Sequence, residues 1–196
     1  MSFLLIFLGV LVIVGLYILI TYNKFVTTKT RIKASIQEIG NQLKRQASLI
    51  PNLVSSVKGY MKHEKKVMKM LTDARKQVTS ALKSKKAQKL IDASAQLENA
   101  LQPIRVVLES NPQLKAAGPT QNLMDELRDT ADKVMYSRRT LIDLSADYNI
   151  MVATMPSALI AMLFKFKQEE GLKMPETEGA TSVSEKDMKS PKVKLS

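Results

Sequence analysis

The stretch from Phe3 to Tyr22 constrains the chain most, because its 20 residues include no charged side chain and no proline. At about 1.5 Å per residue it reaches about 30 Å, the thickness of the hydrocarbon core of a bilayer. A segment that crosses lipid must satisfy its own backbone hydrogen bonds, so residues 1–22 are predicted to form a transmembrane helix. A cleaved signal peptide is less favoured, because the N-terminus has no basic side chain and no small-residue cleavage site follows.

The charges beside this helix predict its orientation. Basic side chains close to a membrane helix stay in the cytoplasm, and here they lie on its C-terminal side, opposed by Glu38 alone. They are Lys24, Lys29, Arg31, Lys33, Lys44 and Arg45. We therefore expect a single-pass protein of the inner or plasma membrane, integral in the lipid bilayer, with its N-terminus outside and the bulk of the chain in the cytoplasm.

Composition limits what the rest of the chain can be. The 196 residues leave room for one domain after the anchor, and the lack of cysteine excludes disulfides and thiolate metal sites. Residues 24–89 hold 17 basic and 3 acidic side chains. Such a segment is attracted to anionic lipid, but it could also pair with later acidic helices or be a solvated surface. Nucleic acid is not expected as a partner, because no aromatic stacking platform accompanies the charge.

Apolar residues recur in a 4-3 spacing from Ile32 to Ala81 and predict a long helix with a coiled-coil-like seam. One set is Ile36, Leu43, Ile50, Val57, Leu71 and Val78, interrupted at Glu64, and the other is Ile32, Ile39, Leu53, Tyr60, Val67, Ala74 and Ala81, interrupted at Gln46. The register does not slip at Pro51, which favours one helix axis bent at the proline. Alternatively, Ser48 caps a new helix with Pro51 in its first turn.

Two more long helices are predicted after a polar junction at residues 83–87. The second ends at Asn111-Pro112, because the residue before a proline avoids the helical region. The third has Thr120 as its cap, and its seam is the weakest because Thr130 and Ser137 lie on it. The expected fold is all-α, an N-terminal transmembrane helix followed by an antiparallel bundle of three to four long helices with coiled-coil-like seams.

The end of the chain leaves several alternatives open. Residues 148–164 carry no charge but include Pro156, so they form a second transmembrane helix, a buried last helix or an apolar end that packs against a partner. The bundle is expected to cover residues 23–171. Residues 172–196 are predicted to be a disordered tail, because they are polar and lack aromatic side chains.

The sequence gives no pattern for catalysis, for a cofactor or for a metal. His63 is the single histidine, and it cannot share a ligand with the adjacent Glu64 because neighbouring helix positions diverge. Glu64 interrupts the seam and is interpreted as a register device or as one partner of an interhelical ion pair. We therefore expect that the protein is not an enzyme.

Several short motifs resemble the LemA family of bacterial membrane proteins. The densest block runs without gaps from Leu43 to Glu64, and the similarity extends from the anchor to about Lys167. The residues that carry it, as structural or interaction positions, are Tyr22, Asn23, Lys44, Arg45, Pro51, Asn52, Lys58, Gly59, Tyr60, His63, Glu64, Arg75, Arg139, Tyr148, Asn149 and Pro156. The resemblance implies an N-terminal transmembrane helix, a cytoplasmic helical bundle and no established catalytic activity.

The function expected from these features is that of a membrane-anchored helical scaffold for partner membrane proteins. Sustained heptads also favour a homo-oligomer. Two alternatives remain, namely a signalling or envelope-stress module whose basic helix senses anionic lipid, and a component of a membrane enzyme or transport complex.

Overall fold

The computed structural model describes residues 2–60, 64–84, 86–113 and 118–170, and of Glu64 the backbone alone. Within these residues the chain is helical and forms no strand, so the all-α prediction is confirmed. The elements are α1 (Ser2–Val57), a 3₁₀ turn (Lys58–Tyr60), α2 (Glu64–Ser84), α3 (Ala87–Ser110), α4 (Gly118–Ala153) and α5 (Ser157–Leu163). The predicted tail and His63 lie outside the described residues.

The first helix is continuous from the apolar stretch into the bundle over 56 residues. Pro51 lies inside it, and the Ser48 hydroxyl donates back to the Arg45 carbonyl oxygen at 2.7 Å instead of capping a new helix. The stretch from Phe3 to Ile20 is solvent-exposed almost throughout, and it is long and apolar enough to cross a membrane. One helix therefore carries both the candidate anchor and a wall of the bundle.

The long seam from Ile32 to Ala81 is divided between two helices, which corrects the prediction of a single axis. Residues 50–55 of α1 face residues 68–75 of α2, and Gly40 lies against Leu82. The two helices are therefore antiparallel. The heptad positions remain buried because each helix turns its stripe towards the other.

The remaining helices pack on α1 and α2 and give the molecule two parts, which we call the head and the stalk. α3 packs on α2 and runs parallel to α1, since Leu90 lies near Gly40 while Leu101 and Ile104 lie near Leu53. α4 is antiparallel to α1. The head comprises α2, α3 and the parts of α1 and α4 beside them, and the stalk is the α1–α4 pair that continues towards the apolar stretch.

Among the described residues the interface between α1 and α4 is the most extensive, and Thr130 and Ser137 lie buried in it. Two of its polar members, Thr130 and Gln46, are hydrogen-bonded. The hydroxyl of the fully buried Thr130 donates to the carbonyl oxygens of Glu126 and Leu127 on its own helix, at 2.9 Å each. Gln46, which interrupts the seam on α1, donates its amide to the Leu127 carbonyl oxygen at 3.4 Å. These bonds remove most of the cost of burying polar groups.

The boundaries of α4 differ from the sequence prediction at both ends. The helix begins at Gly118, so Thr120 lies in its first turn and is not the cap. It ends at Ala153, and α5 follows at an angle of 88°. Residues 148–164 therefore do not form one straight helix, because the break before Pro156 lies in the middle of the run.

Candidate partner-binding groove

A groove separates α3 from α4 in the head. Both helices pack on other elements, α3 on α2 and α4 on α1, and they make little direct contact with each other. The space between them comprises two adjoining cavities of about 400 and 160 Å³, and both are lined by Leu101 and Ala131. α1 forms the floor through Leu53 in one cavity and Gln46 in the other.

The inner surface of the groove is apolar. Its deepest side chains are between 0 and 6 % exposed and belong to all three helices, namely Leu53, Leu101, Ile104, Leu108 and Leu127. Met124, which is partly buried, adds a flexible thioether at one side. A surface of this kind fits the apolar stripe of an amphipathic helix.

The rim of the groove carries charges of both signs. α3 contributes Glu98 and Glu109, with Arg105 between them, and the Arg105 guanidinium lies 3.8 Å from the Glu98 carboxylate. α4 contributes Arg128 and Asp132. These groups are solvent-accessible, so they contribute more to the choice of partner than to affinity.

Four of the residues named from the sequence come together at the other end of the α1–α4 pair. The rings of Tyr22, Phe25, Tyr148, Phe164 and Phe166 form an aromatic cluster. Within it, the Phe25 and Tyr148 rings meet edge to face, with centroids 5.7 Å apart. Asn149 exchanges two hydrogen bonds with the backbone of Glu169, at 2.9 and 3.0 Å. Pro156 lies at the start of α5. These contacts place Tyr22, Tyr148 and Asn149 where α1, α4 and the segment after α5 meet.

A second set of the named residues lies on α1 and α2 in the head. Pro51, Lys58 and Arg75 line a shallow notch of about 320 Å³ between the two helices. Arg45 forms an ion pair with Glu126 across the α1–α4 interface, with Nε and Oε1 2.7 Å apart. Both side chains are over a third exposed, so the pair contributes at most about 1 kcal/mol.

The other named residues are not brought into one site. The exposed ones are Asn23, Lys44, Asn52, Gly59, Tyr60 and Arg139. The side chain of Glu64 lies outside the described part of the chain, as does His63. Among the described residues no group of three or more His, Asp and Glu side chains could hold a metal ion.

The groove residues were missed in the sequence because they were interpreted only as members of helix stripes. Leu53, Leu101 and Leu127 do lie on those stripes, and in the structure they also line the floor of the groove. The available signal was Ala131, a small residue between Arg128 and Asp132 on α4. A small side chain there leaves the gap that a larger one would fill.

A model of the LemA family matches residues 35–185. The match covers the head and most of the stalk, and it begins beyond Tyr22 and Asn23. No curated protein matches the chain.

Proposed function

The chain belongs to the LemA family, and on that premise we propose that it is a membrane-anchored scaffold whose groove binds a helical segment of another membrane protein. Family membership and the N-terminal apolar helix fit a membrane-anchored helical protein. The observation that carries the scaffold proposal is the groove between α3 and α4, whose floor is formed by apolar side chains of three helices and whose rim carries charges of both signs. In this proposal the protein positions its partner and catalyses no reaction itself.

The continuity of α1 supports the scaffold function. Leu53, on the groove floor, lies about 30 residues beyond Tyr22 on one unbroken helix. At about 1.5 Å per residue the groove would be held about 45 Å from the end of the apolar stretch. The extensive packing of α4 against α1 stiffens the helix and so keeps that distance constant. A partner would then be bound at a set height above the bilayer.

The chemistry of the groove defines the partner segment. An amphipathic helix with large apolar residues at i, i+3, i+4 and i+7 would fill the floor. Its flanking positions would carry both acidic and basic side chains, to match Glu98 and Glu109 on one rim and Arg128 on the other. We place this encounter in the cytoplasm, because basic residues follow the anchor.

Photo-crosslinking in intact membranes tests the proposal. A photoreactive phenylalanine at Arg128, on the groove rim, is compared with the same residue at Tyr136, which is 73 % exposed on the same helix but does not line the groove. We expect the probe at position 128 to capture a discrete second membrane protein, and the probe at position 136 to capture little. Mass spectrometry identifies the adduct and the crosslinked peptide.

A groove-filling substitution supplies the matched control. Ala131→Arg places a large side chain between the two cavities, whereas Ala146→Arg makes the same change at an exposed position of α4 in the stalk. The first should abolish the adduct from position 128 and the second should preserve it. Adducts with a second copy of this chain alone would assign the groove to a homo-oligomer, and equal capture at positions 128 and 136 would remove the groove from the proposal.

A further inference from the structure

The short helix α5 lies across the end of the stalk. It makes an angle of 88° with α4, which is itself antiparallel to α1. The ring of Phe164, directly after α5, contacts the ring of Tyr22 with centroids 4.8 Å apart. α5 therefore lies at the end of the apolar stretch and roughly perpendicular to the direction in which that stretch leaves the stalk.

One side of the last turn of the apolar stretch is covered at this point. Thr21 is 7 % exposed and Ile18 packs against the core, whereas nearly all earlier residues of the stretch are exposed. α5 contacts α1. Ile18 lies four residues before Tyr22, or about 6 Å along the helix axis. α5 is thus at a depth that a helix lying in the headgroup and acyl boundary of a bilayer occupies.

The two faces of α5 differ sharply. Ile160 and Ala161 are buried against the bundle, at 5 % and 2 % exposed. The opposite face is apolar and uncovered, with Met155, Leu159, Met162 and Leu163 each between 57 and 69 % exposed. No charged side chain lies between Tyr148 and Phe164. Phe164, directly after this face, contacts Tyr22 at the end of the apolar stretch of α1.

Basic residues border the apolar face. Lys165 and Lys167 follow α5, and both are exposed, as is Lys24 on α1. Lys165 has φ of 57°, and the amides of Lys165 and Phe166 bond back to the carbonyl oxygens of Met162 and Ala161. This is a Schellman closure, and it returns Phe166 to the core, where its ring stacks on Phe25 at 4.7 Å. The ammonium groups are left at the boundary, where anionic headgroups would attract them.

We propose that the outer face of α5 is a second membrane contact, which lies flat in the headgroup and acyl boundary of the leaflet from which the stalk emerges. The occupant of the face is lipid, because the face adjoins the end of the anchor at Tyr22 and is bordered by lysines. The contact would orient the stalk, since a helix held at one point tilts freely and one held at two does not. The inference rests on the anchoring proposed above.

Depth-dependent fluorescence quenching tests the inference on the full chain in anionic vesicles. The sequence contains no cysteine, so single environment-sensitive labels can be attached at Leu163→Cys, at Val12→Cys in the apolar stretch, and at Lys133→Cys on the exposed surface of α4. We expect the label at position 163 to be quenched several-fold more by a nitroxide placed shallow in the acyl chain than by one placed deep. The label at position 12 should show the reverse preference, and the label at position 133 should respond to neither nitroxide.

The outcomes separate this inference from the anchoring. Deep quenching at position 12 with none at position 163 would overturn the second contact and leave the anchor intact. Absence of quenching at position 12 would refute the anchoring itself. Stronger deep than shallow quenching at position 163 would show that the segment enters the bilayer core, which also overturns the proposal. Quenching at position 163 that appears only when the protein is diluted into more lipid would show that a second copy of the chain covers the face, which also overturns the proposal.

Discussion

At the scale of single residues, Tyr148 is the most informative side chain. It is completely buried, its ring lies against Phe25, and Lys29 Nζ is 5.8 Å from its ring centroid. Its hydroxyl makes no full hydrogen bond within the described part of the chain, although the Lys29 ammonium interacts with it. Burial raises the pKa of Tyr148 above its usual value of 10.0, an effect that the charge of Lys29 opposes and that of Glu169 reinforces. The ring therefore contributes packing while the hydroxyl contributes little.

Substitutions at Tyr148 should separate the ring from the hydroxyl. Tyr148→Phe should leave the free energy of unfolding unchanged or raise it by up to about 1 kcal/mol, because an unsatisfied buried hydroxyl costs about 1–3 kcal/mol. Tyr148→Ala should lower it by about 3–5 kcal/mol, as for other buried aromatic residues. Thermal unfolding of the full chain in nanodiscs, followed by circular dichroism, measures both. A loss of more than 1 kcal/mol in Tyr148→Phe would indicate that the hydroxyl does have a partner.

The same pair of proteins should differ at alkaline pH. Because the pKa of Tyr148 is higher in the folded state, folding favours the protonated phenol. That stabilisation is complete below about pH 10, the usual pKa of tyrosine, and is lost as pH rises through the folded pKa. The thermal midpoint of the wild type should therefore fall more between pH 9 and pH 11 than that of Tyr148→Phe. Thermal midpoints that fall equally with pH in the two proteins would contradict a raised pKa of Tyr148.

At the scale of elements, the decisive contact is the crossing of α1 with α2 and α3 at Gly40. A β-carbon there would lie 3.2 Å from Leu82 Cδ2 and 4.0 Å from Leu90 Cδ1. The absence of a side chain lets three helices approach at the point where the stalk widens into the head. Gly59, by contrast, has open space around its α-carbon.

Leucine at these two glycines should have unequal effects. Gly40→Leu should lower the free energy of unfolding by about 1–3 kcal/mol, because added volume in a packed crossing displaces side chains and backbone. Gly59→Leu, the matched control, should change it by less than about 0.5 kcal/mol, as is usual for surface substitutions. Chemical denaturation of each variant in nanodiscs gives the comparison. Equal losses of unfolding free energy at the two positions would show that α1, α2 and α3 do not pack closely at Gly40.

At the scale of the whole molecule, the orientation in the membrane is a direct prediction of the charge distribution. A fluorescent reporter that matures only in the cytoplasm should be active when fused after Ser196 and inactive when fused before Met1. The physical reason is the six basic residues in Lys24–Arg45, on the C-terminal side of the apolar stretch. The reverse pattern of activity would place the head, the groove and the partner on the opposite side of the membrane.

The sequence by itself determined the apolar N-terminal helix, the all-α character and most of the buried positions. Val67, Leu71 and Val78 were predicted to lie on a seam and are buried, because a stripe at seven-residue spacing must be covered by something. The junction at residues 83–87 was also predicted correctly, since polar residues interrupt the stripe there. These features depend on hydropathy and local periodicity, which can be read within one segment without knowing which other helix packs against it.

Only the tertiary structure decided which helix covers which stripe. The heptads from Ile32 to Ala81 keep one register whether the chain continues straight or folds back, so α1 and α2 looked like a single helix. For the same reason the sequence could not show that α3 and α4 stay apart and leave a groove, or that α5 lies across the stalk. An apolar stripe specifies that a helix face is buried. Which helix packs against that face depends on contacts between residues far apart in the chain, such as Gly40 with Leu82 and Phe25 with Tyr148.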